Sequence, residues 1–148
     1  MSVAGWGPTD GLAVRPTRVM VVDDDPDMRS LIRSVLTRFG EYEVAEAVNG
    51  REALDSITGH SVPDILVTDL LMPVMTGIEL IRSLRNNPIA AGVRILVVSA
   101  TVDSDEHDEV RVLADAILDK WLIVPNLLNA VRSLSLSVAA PTGPPVQH

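Results

Sequence analysis

Arg18-Val19-Met20-Val21-Val22-Asp23-Asp24-Asp25-Pro26 is the stretch that decides the fold. Residues 19–22 are a short apolar, largely β-branched run, the pattern of a buried strand. Asp25-Pro26 then offers an N-cap followed by proline at the first helical position. Behind it Met28, Leu31, Ile32, Val35, Leu36 and Phe39 recur at helical spacing, and Gly40 closes the run. A strand therefore feeds a helix across three consecutive carboxylates. At ~4 Å and an effective dielectric of ~20, each carboxylate pair repels by about 4 kcal/mol. Such a triplet persists where its members separate, share protons or bind a cation, and the cation is the functional reading.

The same alternation continues along the chain. Strands are expected at Arg18–Asp23, Tyr42–Ala47, Ile65–Asp69, Arg94–Ser99 and Ala116–Leu118. Several of these are continuous apolar runs, as in parallel strands covered on both faces. Asn49 with Glu52 and Thr76 with Glu79 have capping-box spacing and start the second and third helices. A fourth helix is expected to begin in the acidic stretch 103–109, and a fifth to follow Pro125 with Leu127, Leu128, Val131 and Leu134 on its apolar face. Five such units make a doubly wound α/β fold: a five-stranded parallel sheet flanked by five helices. Ligands of these folds bind beyond the carboxyl ends of the strands. At those ends lie Asp23-Asp24-Asp25, Asp69, Ser99-Ala100-Thr101 and Asp119-Lys120.

Lys120 is the only lysine among twelve basic residues. A compact ammonium at this edge suits a phosphate. Together the groups suit phosphoryl transfer to a carboxylate: one aspartate attacks, Mg2+ on neighbouring carboxylates neutralises phosphoryl oxygens, and a cation and a hydroxyl hold the remainder.

Composition narrows the classes. The 148 residues suit one domain, expected at 17–135, with a flexible extension at 1–16 and a disordered Pro-bearing tail at 136–148. There is no cysteine, hence no disulfide framework. A net charge of −8 without a basic stripe argues against direct nucleic-acid binding. The N-terminus lacks the pattern of a secretory signal, and no apolar run reaches the ~20 residues of a membrane span. A cytoplasmic protein without membrane insertion is expected. His60, His107 and His148 are read as solvent-exposed, and Trp6 has no role.

From Thr17 to Leu134 the chain resembles the receiver domain of response regulators in two-component signalling. The resemblance rests on Asp23-Asp24, on Asp69-Leu70-Leu71-Met72-Pro73-Val74-Met75-Thr76-Gly77, on Ser99-Ala100 and on Lys120. It implies the flavodoxin-like strand order 2-1-3-4-5. It also implies that Asp69 accepts a phosphoryl group from a phosphohistidine on a sensor histidine kinase or phosphotransfer protein. Asp24 and Asp69 would ligate Mg2+ with the backbone carbonyl of Leu71, Asp23 assisting through water. Ser99 and Lys120 would hold phosphoryl oxygens, and Leu71 and Thr101 would line the path of the hydrolytic water. The expected activity is that of a switch acting on a protein target, a stand-alone receiver whose only chemistry is its own phosphorylation and dephosphorylation.

Two positions depart from the family. Proline usually follows the lysine in a cis bond; here Trp121 follows, and a non-proline cis bond costs ~2.5–4 kcal/mol, so a trans bond is expected. Three residues before the lysine the family often has an aromatic switch residue; here it is Ile117. The apolar run Trp121-Leu122-Ile123-Val124 suggests Leu122 as core and Trp121, Ile123 and Val124 as a protein contact. Two rival readings compete: a receiver fold that no longer switches by phosphorylation, and a haloacid-dehalogenase-like phosphatase using Asp23 and Asp25. The phosphatase needs acidic ligands after its lysine, and residues 121–148 contain none.

Overall fold

Each expected strand forms, and the sheet lies between two layers of helices. The computed structural model describes residues 15–59, 61–100 and 107–139. The order is β1 (Arg18–Val22), α1 (Pro26–Phe39), β2 (Glu43–Ala47), α2 (Gly50–Thr58), β3 (Ile65–Thr68), α3 (Gly77–Arg85), β4 (Arg94–Ser99), α4 (His107–Leu113), β5 (Ala116–Asp119), a 3-10 turn (Lys120–Leu122) and α5 (Ile123–Ala139). All neighbouring strands pair in parallel, in the order β2-β1-β3-β4-β5. No described helix is long and apolar enough to cross a membrane.

Continuous apolar strands follow from having a core on each face. Met20, Val22, Leu66, Ile95 and Val97 face α2, α3 and α4, where Ile57, Leu80, Leu84 and Val110 meet them. Their alternates Val19, Val21, Val67, Leu96 and Val98 face α1 and α5, against Ile32, Leu36, Leu127 and Val131. Each fully buried aliphatic side chain contributes ~1.5–3 kcal/mol of transfer free energy.

The first three predicted helix starts hold. Asp25 caps α1 through Asp27 N–H, Asn49 caps α2 through Glu52 N–H, and Thr76 with Glu79 forms a reciprocal capping box on α3. The end of α1 differs in mechanism. Gly40 is not in the left-handed region; Glu41 is, at φ 58°. Glycine serves room instead: a Cβ at residue 40 would collide with the Tyr42 ring and crowd Leu128.

Several boundaries move. α5 begins at Ile123, two residues before Pro125, and it continues to Ala139 through residues 136–139, where a tail was expected. Arg15, assigned to the flexible extension, is tied to Asp64 by two 2.8 Å hydrogen bonds. The rest of the extension (1–14), His60, Thr101, residues 103–106 and the tail beyond 139 lie outside the described residues.

The two ends of the sheet are electrostatic opposites. At the amino ends, Asp64 accepts Arg15 and the Arg18 N–H, while Asp115 accepts the Ile95 N–H (2.7 Å) and pairs with Arg85 and Arg94. Arg85 also donates to the carbonyls of Leu113, Ala91 and Val93. Those carboxylates are neutralised and structural. The carboxyl ends hold more acids than cations.

Candidate phosphoryl-acceptor site

Strands β1 and β3 stop one residue before their aspartates. The backbone ladder still reaches across: Asp23 N–H bonds to the Ala47 carbonyl at 3.2 Å and Asp69 N–H to the Val22 carbonyl at 3.1 Å. Beyond that point the side chains bend the chain. Asp23 Oδ1 accepts the Asp25 N–H (2.9 Å), and Asp69 Oδ1 accepts the Leu70 N–H (2.7 Å). Thr68 Oγ1 donates to the Asp69 carbonyl (2.8 Å). Both carboxylates are thereby fixed at the edge of the core. Asp23 is 1% and Asp69 8% exposed, while Asp24 is exposed.

Asp23, Asp24 and Asp69 each offer a carboxylate oxygen within 4.8 Å of the others. Three hard oxygen donors so close together are consistent with metal binding. Lys120 Nζ lies 3.1 Å from Asp69 Oδ2 and 3.5 Å from Asp23 Oδ2. One ammonium cannot balance this cluster. Burial raises the Asp23 carboxyl above its ordinary range, and the Asp69 charge adds to it, against the Asp25 N–H and Lys120. Burial alone would weaken the Lys120 ammonium, but its hydrogen bond to Asp69 and the charges of Asp69 and Asp23 outweigh that and raise its pKa. Lys120 is therefore a permanent cation at neutral pH.

Ser99 is buried at the end of β4, in register with Asp119. Leu71, two residues past Asp69, exposes its side chain. The loop from Asp69 returns to α3 at Gly77, whose N–H bonds to the Leu70 carbonyl at 2.8 Å. A Cβ on Gly77 would overlap the Asp69 carbonyl and stand 2.8 Å from Leu70 Cα, so glycine is required by close approach. Midway, Met75 N–H bonds back to the Pro73 carbonyl (2.8 Å), a γ-turn centred on Val74 at φ 72°. A β-branched residue there is strained.

The Lys120–Trp121 peptide is trans, as expected, since the described residues contain no cis bond. Asp119 takes over the loop's fixation: its Oδ1 accepts the Trp121 N–H at 2.9 Å and caps the 3-10 turn. Ile117 is half-buried and packs on the α2–α4 side. The Trp121–Val124 run needs correction. Ile123 is buried at 3% and Leu122 is 52% exposed, the reverse of the expected assignment. The 3-10 turn advances the chain faster per residue than an α-helix, so Ile123, in step with Leu127, Val131 and Leu134, starts the inward stripe of α5. Trp121 (82% exposed) and Val124 remain outside. Asp25 caps α1 and is exposed, which leaves the Asp23/Asp25 phosphatase reading without its second acid.

One participant escaped the sequence reading. Arg29, on α1, donates from Nη1 to the Asp23 carbonyl at 2.8 Å and from Nε to Glu46 at 3.3 Å. A cation in the first turn of a helix opposes the helix dipole, and that misfit was the available signal.

A family model described as the response regulator receiver domain matches residues 19–132. The sensor histidine kinase TmoS of Ectopseudomonas mendocina is 37% identical over 116 residues, covering 78% of this chain and 11% of that protein. A chemotaxis protein CheY homolog of Campylobacter jejuni is 43% identical over 68 residues, covering 46% of this chain and 52% of that protein. The chain thus spans about half or less of the length of these curated relatives. Among solved structures, the chemotaxis response regulator CheY4 of Vibrio cholerae superposes with a TM-score of 0.73 at 28% identity, covering 81% of this chain and 99% of that one.

Proposed function

This chain belongs to the response regulator receiver domain family, and on that premise we propose that Asp69 is its phosphoacceptor and that Mg2+ is its cofactor. The observation that carries the reading is the pairing of buried Asp69 with the chain's only lysine, 3.1 Å apart across 51 residues of sequence, inside a trio of carboxylates. Asp24 and Asp69 would hold the metal with the Leu71 carbonyl, and Asp23 through water. Bound there, Mg2+ supplies the charge that offsets the phosphoryl oxygens.

The chain's own residues do the rest. Leu70 N–H fixes one oxygen of Asp69, which orients the carboxylate as a nucleophile. An Asp69 oxygen attacks phosphorus, the P–N bond of a phosphohistidine breaks, and its electron pair leaves with the imidazole. Lys120 acts as a cation and not as a base, transferring from the Asp69 carboxylate to a phosphoryl oxygen. Ser99 supplies a hydroxyl to another. The donor is a sensor histidine kinase or phosphotransfer protein, and the output is binding of a protein target, with Trp121 and Val124 as contacts. The chemistry is limited to acquiring and losing this one group. With Ile117 in place of an aromatic, the state of Ser99 reaches the outer face through aliphatic packing.

Intact-mass measurement after incubation with acetyl phosphate tests the core of the reading. One phosphoryl adduct that requires Mg2+ and disappears in Asp69→Ala is the expected result. An adduct that survives Asp69→Ala, or none under any condition, overturns it; the latter favours a receiver-fold module that acts without phosphorylation. Trp121→Ala and Val124→Asp test the output face, which is refuted if partner binding and oligomeric state are unchanged.

A further inference from the structure

Every polar point of Asp23 is engaged. Its N–H meets the Ala47 carbonyl, its Oδ1 meets the Asp25 N–H, its Oδ2 faces Lys120, and its carbonyl accepts Arg29 Nη1. The last contact differs from the others. Arg29 stands four residues into α1, where the helix dipole disfavours a cation, and its side chain is only 17% exposed. It is held by Glu46 of β2, which in turn is shared with Arg33 at 2.8 Å. The guanidinium thus ties the turn after β1 to both the neighbouring strand and the helix that follows.

We propose that Arg29, oriented by Glu46, is a positioning residue that holds the Asp23–Asp24 turn in the geometry needed to bind the divalent cation. The inference rests on the phosphoacceptor reading above. Arg29 does not touch the metal position; it fixes the backbone from which Asp23 and Asp24 project. The turn would otherwise relax, because two acids at its apex repel each other and Asp69. A charge-assisted hydrogen bond to the carbonyl resists that relaxation more strongly than a neutral one. Unlike Lys120, Arg29 bonds to main chain and so remains in place whatever fills the carboxylate trio.

The proposal has a sign that simple charge arithmetic lacks. Removing a nearby cation makes an anionic pocket more attractive to Mg2+. Removing a positioning residue makes it bind less well. The full chain and its Arg29→Met, Arg29→Lys, Glu46→Gln and Arg33→Met variants are titrated with Mn2+ by the electron paramagnetic resonance of the free ion. Mg2+ competition and thermal unfolding are measured in parallel. Arg29→Met is expected to weaken metal binding three- to tenfold, and Arg29→Lys to recover part of the loss. Glu46→Gln should weaken binding two- to threefold, and Arg33→Met should leave it within twofold. With saturating Mg2+, phosphorylation of Arg29→Met by acetyl phosphate should approach the wild-type rate. Unchanged or tighter metal binding in a folded Arg29→Met overturns the proposal, as does an equal loss in Arg33→Met. Should Arg29→Met fail to fold, Glu46→Gln decides by the same criterion. Failure of the wild-type chain to bind the metal would instead refute the underlying reading.

Discussion

Asp23→Asn should stabilise the metal-free protein while weakening its use of Mg2+. Asp23 is 1% exposed and shares a 4.8 Å neighbourhood with Asp24 and Asp69. At an effective dielectric of ~20, its repulsion from Asp69 is roughly 3.5 kcal/mol. Asp24 is exposed to solvent and adds about 1 kcal/mol at most. Lys120, 3.5 Å away, returns about 4.7 kcal/mol on the same scale. The charge terms nearly cancel, so desolvation sets the sign, in line with the raised pKa of Asp23. Asparagine keeps an Oδ1 acceptor for the Asp25 N–H, and Lys120 keeps Asp69. The expected gain is about 1–2 kcal/mol, or a rise of roughly 3–8 °C in Tm. The assay is urea unfolding at pH 7.5 in EDTA and again in MgCl2. In EDTA the variant should be the more stable. In MgCl2 the wild type should gain more, by about 2.7 kcal/mol at a hundredfold excess over Kd, and the gap should close or invert. The pH dependence supplies a check on sign. A carboxyl whose folded pKa is raised loses stability as pH climbs from its unfolded value near 3.8 through its folded one. The advantage of Asp23→Asn should therefore shrink as pH falls into that window. A variant less stable than wild type in EDTA, or an advantage independent of pH, would refute the reasoning.

Gly77→Ala should cost roughly 3 kcal/mol or more and suppress Asp69 phosphorylation, because its Cβ meets the Asp69 carbonyl; urea unfolding and intact mass measure the two effects. Arg15→Ala should cost about 0.5–1 kcal/mol at neutral pH. Burial opposes ionisation of Asp64, but Arg15, the Arg18 N–H and the arginine charges outweigh it and lower its pKa below 3.8. That contribution is complete above pH 3.8 and lost as pH falls through the folded value, so the variant's deficit should vanish in acid. Val74→Asn should stabilise by about 1 kcal/mol in thermal unfolding, since asparagine tolerates the left-handed backbone that valine resists.

The sheet was legible because its inner strands are short, continuous apolar runs, and a strand buried on both faces cannot disguise its composition. β4 lies at 94–99 as read, whereas β1 and β3 stop a residue early. There the end carboxylates bond to following N–H groups and turn the chain, a local competition that composition does not register. The convergence of Asp23, Asp24, Asp69 and Lys120 followed from parallel topology alone. Ile123 and Leu122 were exchanged because four consecutive apolar residues carry no phase, and the 3-10 turn that sets it depends on Asp119. Arg29 left only the misfit of a cation in a first helical turn, since its partners, the Asp23 carbonyl and Glu46, meet it only in three dimensions. Gly40 was read correctly as a stop for the wrong reason: the Tyr42 ring demands the space, and that contact belongs to the α5 side of the core.

With one lysine against eleven arginines, the chain has a single ε-amine, and it stands in the acidic centre. Amine-directed chemistry therefore does not decorate this protein's surface at random. Apart from the α-amino group, an acylating dye, a biotin ester or an activated resin has Lys120 as its sole target. Coupling there would tether the molecule by the group that balances Asp69. Immobilised or labelled preparations should be made through tags that spare the lysine amine or through an introduced cysteine, for which this chain offers no competitor. Conversely, the extent of acylation at Lys120 becomes a direct gauge of whether the centre is open or filled.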